Sequence, residues 1–169
     1  MCKDRVTNVV IAGLGGQGVI KASAVLADAA FRAGFDVKTS EIHGMSQRGG
    51  LVASDVRFGD RVLSPMVPDG EADFLVVLAE GELEAARRYL RPGGLLIAPD
   101  CVDAPSLPNR KSLNIALMGV LSQHLAIAEQ HWLEAIRSRF PEALSEPNVR
   151  AFLIGRGAAA GQPGDLRTR

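Results

Sequence analysis

The sequence is poor in cysteine, carries no net charge and contains no long apolar run. Only Cys2 and Cys101 occur, with no CxxC pair, so the chain cannot assemble a four-cysteine zinc site or an iron–sulfur cluster of its own. Nineteen Lys plus Arg balance nineteen Asp plus Glu, which removes the overall positive field that nucleic acid or an acidic membrane would draw on. Neither is an expected partner. No run approaches the ~18 apolar residues of a membrane span, and no basic-then-apolar leader opens the chain. A cytoplasmic protein with reduced thiols is expected.

What is present suffices for a packed core. Of 169 residues, 47% are hydrophobic and 22% charged, far from the profile of disordered chains. The length suits one domain. Residues 1–156 are expected to form it, with 157–169 (GAAAGQPGDLRTR) as a flexible C-terminal tail.

Hydrophobic periodicity predicts an α/β protein: a Rossmann-like, open and mostly parallel sheet with an antiparallel hairpin insertion and C-terminal helices. Val6 to Ala12 reads as a buried strand, Val19 to Ala33 as an alanine-rich helix stopped by Gly34, and Phe35 to Ile42 as the second strand of a β-α-β unit. Leu51 to Phe58 and Arg61 to Ser64, separated by Gly59-Asp60, are expected to pair as the hairpin. A strand at Phe74 to Ala79, a helix at Glu82 to Leu90 stopped by Pro92-Gly93-Gly94, and a strand at Leu95 to Ala98 follow. Helices are expected at Leu113 to His124, about Glu129 to Phe140, and Asn148 to about Gly155.

Eighteen glycines are present, and seven fall in two short loops, Gly13 to Gly18 and Gly44 to Gly50. The first satisfies G-x-G-x-x-G between a strand and a helix, where backbone N–H groups can receive a phosphate or carboxylate. The same glycines would also serve a tight turn with no ligand. Val19 and Ile20 stand where a Walker loop needs Lys and Ser or Thr, which excludes that chemistry. Glu41 is a candidate for the ribose-binding acid of a dinucleotide site, but the polar loop after it replaces the helix a dehydrogenase would start.

Both loops are expected at the C-terminal edge of the parallel strands, facing one crevice. Gly13, Gly15, Gly16, Gln17 and Gly18 in the first, with His43, Gly44, Met45, Ser46, Gln47, Arg48, Gly49 and Gly50 in the second, are the candidate residues for contact with a ligand or a partner subunit. Arg48 suits a carboxylate or phosphate and equally a brace to backbone carbonyls. Replacing Gly15 with Val is expected to damage folding or assembly, because β-branched residues resist the backbone conformations of such turns. No residue is singled out as catalytic and none as a metal ligand. A nucleophile elbow is excluded around Ser46, and Cys101 has no neighbouring base.

GLGGQGVIKAS (Gly13 to Ser23), EIHGMSQRGG (Glu41 to Gly50), VASDVRFG (Val52 to Gly59), Asn114, Gly119 and NVRAFLIG (Asn148 to Gly155) together resemble the gamma subunit or domain of 2-oxoacid:ferredoxin oxidoreductases. Within that family the chain is most similar to the small subunit of the indolepyruvate-type enzymes. The resemblance implies a heteromeric enzyme that decarboxylates a 2-oxoacid to an acyl-CoA and passes electrons to ferredoxin. Thiamine diphosphate, Mg2+ and the iron–sulfur clusters are then expected in partner subunits, with ferredoxin reached through them. Coenzyme A is a candidate ligand near the glycine loops. The alternatives are a free-standing NAD(P)-dependent Rossmann-type oxidoreductase and a nucleotide- or acyl-CoA-binding module.

Overall fold

A computed structural model of the chain describes residues 6–43 and 51–160. β1 (Thr7–Leu14) is the first apolar run, and Val9, Val10, Ile11 and Ala12 along it have no solvent exposure. A strand buried on both faces belongs inside a sheet, and β1 is the central strand of five, in the order β2-β3-β1-β4-β5. α1 (Val19–Arg32) leaves β1 through the glycine turn and lays Ala22, Leu26, Ala29 and Ala30 on one face of that sheet.

β2 (Asp36–His43) runs in the same direction as β1, as the β-α-β reading requires, but is not its neighbour. β3 (Leu51–Gly59) lies between them, antiparallel to both. β4 (Ala72–Val77) and β5 (Leu90–Ile97) add on the far side of β1, each parallel to its neighbour. The sheet is therefore mostly parallel with one reversed strand, and the antiparallel character sits elsewhere than expected. Arg61 to Ser64 is not a strand. Both edges of β3 are already occupied by β1 and β2, so no edge is left to close a hairpin. The segment after β3 is instead held by side chains: Asp36 Oδ2 accepts from Val62 N at 2.7 Å, Asp55 Oδ2 from Val67 N at 2.9 Å, and Arg57 Nη1 donates to the carbonyls of Ser64 and Met66 at 2.9 and 3.1 Å. Burial pushes the Asp55 carboxyl up, against the opposing pull of the Val67 N–H and Arg57.

The helix expected at Glu82 to Leu90 is broken into α2 (Leu83–Ala86) between two 3-10 turns, 80–82 and 87–89. The crossover must return along β4, six residues or roughly 20 Å of strand. A 3-10 segment climbs about 2.0 Å per residue against about 1.5 Å for an α-helix, so the tighter winding gives the short link the reach it needs. β5 also starts earlier than Leu95. Gly93, at φ 73°, carries Pro92-Gly93-Gly94 through a register shift, making a bulge of what reads in sequence as a stop. The proline-rich stretch 99–108 is loop with two 3-10 turns.

α3 (Leu113–Ser122), α4 (Glu129–Arg139) and α5 (Glu142–Ala160) complete the fold. α5 starts six residues before the expected Asn148, passes through Pro147 and continues beyond 156. It is held by its crossing with α3. A Cβ at Gly119 would run into the carbonyl of Phe152, and one at Gly155 into that of Ala116. All four long helices share the face of α1 and bury the large core containing Trp132, Phe152, Met118 and Leu121. The other face carries only a small cluster around Val10, Ala53, Leu75 and Val77, covered by Val67, Ala86 and Tyr89. A doubly wound sheet has long helices on both faces; among the described residues this one has them on one face, with only the short α2 and its flanking 3-10 turns on the other.

Candidate functional site

The turn between β1 and α1 is built by its own side chains. Gln17 N donates to the carbonyl of Leu14 at 3.1 Å, while Gln17 Oε1 accepts from Leu14 N at 2.8 Å. Gly16 and Gly18 have φ of 87° and 82°, the left-handed region that side chains resist. Gly13 is needed for room, since a Cβ there would lie 2.9 Å from Gln17 Oε1 and 3.0 Å from Leu78 Cβ. Gly15 has neither constraint, with no positive φ and nothing within 4 Å of a Cβ. The expectation of damage to folding at Gly15 is thus corrected: the conformational demand falls on Gly16 and Gly18.

Gly18 is the N-cap of α1, and its carbonyl accepts from Ala22 N at 3.0 Å and from Asn114 Nδ2 at 3.1 Å. Asn114, at the start of α3, therefore ties two helix N-termini together. Neither α1 nor α3 has a side-chain cap, and neither has an acidic residue in its first turn. The partial positive charge of the α1 terminus is left without the usual compensation, whereas at the entry to α3 Asn109 Oδ1 accepts from Lys111 N and Asn114 Oδ1 from Ile115 N, each at 2.9 Å.

Gly44 to Gly50 lie outside the described residues, as does the His43 side chain. The flanks locate the ends of that loop. Leu51 faces Leu14 across the β1–β3 ladder, and His43 faces Val52 across β2–β3, so the loop leaves and rejoins the sheet on the edge that bears the glycine turn.

A cavity of about 660 Å³ opens beside the turn, lined by Gly16, Gln17 and Gly18 together with the 108–114 segment, Phe140 and the start of α5. Among the described residues four cations line it, Lys21, Arg110, Lys111 and Arg150, and no acidic residue does. Sequence reasoning missed these four. They come from segments up to about 130 residues apart and share no motif or spacing, so only the fold brings them together. Lys21 also donates to the Arg139 carbonyl at 3.1 Å and lies over the Phe140 ring.

The remaining candidates carry no chemistry of their own. Glu41 stands on β2, two strands from β1, because β3 intervenes. At about 4.8 Å per strand, roughly 10 Å separates the two backbones, whereas a dinucleotide site needs the acid on the strand next to the glycine turn. Cys101 is buried, and burial pushes its thiol up, away from the reactive thiolate. His124 packs against Phe74, and burial pushes its imidazole down. Among the described residues no group of three or more His, Cys, Asp or Glu side chains could hold a metal ion, and no helix is long and apolar enough to cross a membrane.

Residues 8–108, the sheet with its glycine turn, match the sequence model of the family described as pyruvate ferredoxin/flavodoxin oxidoreductase. The chain belongs to this family. As a family member it is 34% identical to the indolepyruvate oxidoreductase subunit IorB of Thermococcus kodakarensis, over 90% of this chain and 95% of that one. Its fold is that of the keto/oxoacid ferredoxin oxidoreductase gamma subunit from Geobacter sulfurreducens, with a TM-score of 0.73 at 24% identity, covering 92% of this chain and 99% of that one. It is also that of part of the 2-oxoglutarate:ferredoxin oxidoreductase from Magnetococcus marinus, solved with 2-oxoglutarate, coenzyme A and succinyl-CoA. There the TM-score is 0.80 at 20% identity, over 94% of this chain and 32% of that one.

Proposed function

We propose that this chain is the gamma-type subunit of a heteromeric 2-oxoacid:ferredoxin oxidoreductase. The observation that carries the reading is one of length. The chain pairs with nearly all of a separate oxidoreductase subunit, while a unit of the same fold makes up 32% of a longer oxoacid oxidoreductase chain. In this reading the partner subunits carry thiamine diphosphate, Mg2+ and the iron–sulfur clusters, and ferredoxin takes electrons from them. A chain with two cysteines, one of them a buried thiol, fits that division. The folded domain is residues 1–156, and 157–169 is the tail, whose first residues to Ala160 prolong α5.

The chain's own contribution is a surface made by the glycine turn and the 43–50 loop, which contacts coenzyme A or the partner. The turn fits a phosphate, because α1 presents uncapped N–H groups behind Gly16 to Gly18 with no carboxylate in its first turn. Arg48 adds a guanidinium from the second loop. Coenzyme A supplies the thiol that receives the acyl group, and this chain binds and orients it without taking part in bond making. The dinucleotide alternative loses its ribose contact through the insertion of β3.

The purified chain is expected to show no 2-oxoacid-dependent reduction of ferredoxin, and co-expression with its thiamine-binding partner is expected to restore it. Full turnover by the chain alone would overturn the assignment.

A further inference from the structure

We propose that residues 60–71 form a detachable strap, clasped to the sheet by Asp55, that opens as one unit while the rest of the fold stays closed.

The first argument is how the strap is held. Among the described residues its one backbone–backbone hydrogen bond is internal, from Glu71 N to the Pro68 carbonyl at 3.1 Å. Its hydrogen bonds to the sheet all run through side chains. Asp36 holds Val62 N near the start, Arg57 the carbonyls of Ser64 and Met66, and Asp55 the Val67 N–H. At the far end Asn8 Nδ2 donates to the Glu71 carbonyl at 3.1 Å. Pro65 and Pro68 have no N–H to offer. A segment outside the backbone ladder can leave without breaking a strand pair. The ion pair of Asp69 with Arg88, at 4.0 Å and mostly exposed on both sides, adds little.

What lies beneath the strap is the second. Side chains alternate along a strand, so Asn8, Asp55 and Arg57 share the face of Val10 and Ala53, away from the long helices. Arg57 and Asn8 stand opposite one another across the β1–β3 ladder, with Arg57 Nε donating to Asn8 Oδ1 at 2.9 Å. Of the strap's apolar side chains, Val62 and Val67 are buried and only Val67 joins the small cluster. Leu63 and Met66 stay 80% and 56% exposed, so closing gains little from them. Opening gives up the burial of two valines and uncovers a polar strip that water can serve.

The clasp itself is under tension. Asp55 is fully buried, yet its Oδ1 has no hydrogen-bond partner among the described residues. Ionised, it is a buried charge; neutral, a proton on Oδ1 has no acceptor. Opening relieves that cost in either state. The charged groups acting on it are Arg57 from its own strand and Asp69 from the strap, while Val10 and Ser40, its partners on β1 and β2, carry no charge. Burial outweighs the Val67 N–H and Arg57 and pushes the carboxyl up. A raised folded value means that the closed strap is fully favoured below the ordinary value of 3.8 and loses that favour as pH rises through the folded value.

Native-state hydrogen exchange on the full chain, read amide by amide with increasing urea, tests the strap. The bonded amides of Val62, Val67 and Glu71 are expected to share one protection factor, at least about tenfold below those in the middle of β1, with a weak urea dependence. That protection, corrected for intrinsic exchange, should fall as pH rises through the titration of Asp55. Asp55→Asn keeps an acceptor but cannot ionise, and should remove the slope. Val67→Ala should lower strap protection by about tenfold, and Leu63→Ala should leave it unchanged. The proposal falls if the strap amides match β1 in protection and urea slope, because opening is then global. It falls equally if the three amides differ among themselves, because the segment then frays piecemeal, or if Val67→Ala has no effect or Leu63→Ala has a large one. A pH slope that survives in Asp55→Asn makes another group the clasp. The comparison with β1 uses the unaltered chain, so it decides the matter even where a variant does not fold.

Discussion

Gly16 and Gly18 hold φ values of 87° and 82° within one turn, and the carbonyl of Gly18 is also the acceptor for Asn114. A methyl group at position 18 meets two obstacles at once, the left-handed backbone and the Asn114 amide. Gly18→Ala is expected to cost about 2 kcal/mol or more, read as a lower urea midpoint, while Gly15→Ala stays near the parent. That the loop needs glycine is legible in the motif; which glycine is needed is not, because φ and the approach of a residue 96 positions away leave no local trace. Asp28 makes a similar case. Its side chain is mostly buried, and burial pushes the carboxyl up, but hydrogen bonds from Ser138 and Arg139, with Arg32 nearby, bring it below the ordinary value of 3.8. A depressed folded value means a stabilisation that is complete above 3.8 and lost as pH falls through the folded value. Asp28→Asn is expected to lower the melting temperature at neutral pH and to flatten its decline below about pH 4, as thermal melts across that range would show.

Among the elements, β1, α1 and β2 are the part that reads directly from sequence, since each is a contiguous run with one hydrophobic period and glycine at its ends. β3 reads as a strand too, yet its place between β1 and β2 is a property of the pairing register, which no single segment contains. The same reasoning covers the four cations of the cavity and the one-sided layering: each is a sum over distant segments. Pro147 shows tertiary packing overriding a local signal. A proline six residues into α5 argues for a later start, but the crossing with α3 at Gly119 and Gly155 fixes the whole helix. The backbones there leave no room for a methyl group. Gly155→Ala is therefore expected to destabilise the fold by about 2–3 kcal/mol by forcing the helices apart, although alanine is the better helix former. Circular dichroism melts of the variant check the sign, and a rise in stability would show that the crossing has slack.

For the molecule as a whole, the proposed contact surface and the large core are placed on different parts of the sheet. The large core lies between one face and the four long helices. The glycine turn, the ends of the 43–50 loop and the basic cavity gather at one edge, where they add little to that core. The strand order has a further consequence during synthesis. β1 is the first of the described strands to leave the ribosome, but its two neighbours are β3 and β4, which end at residues 59 and 77. When β1, α1 and β2 have all emerged, neither strand has its partner, because the two do not touch. β1 waits with both hydrogen-bonding edges open from its end at residue 14 until β3 begins at 51, and with one edge open until β4 ends at 77. That interval is when the nascent polypeptide most needs a chaperone's cover or a slow concentration of its kind.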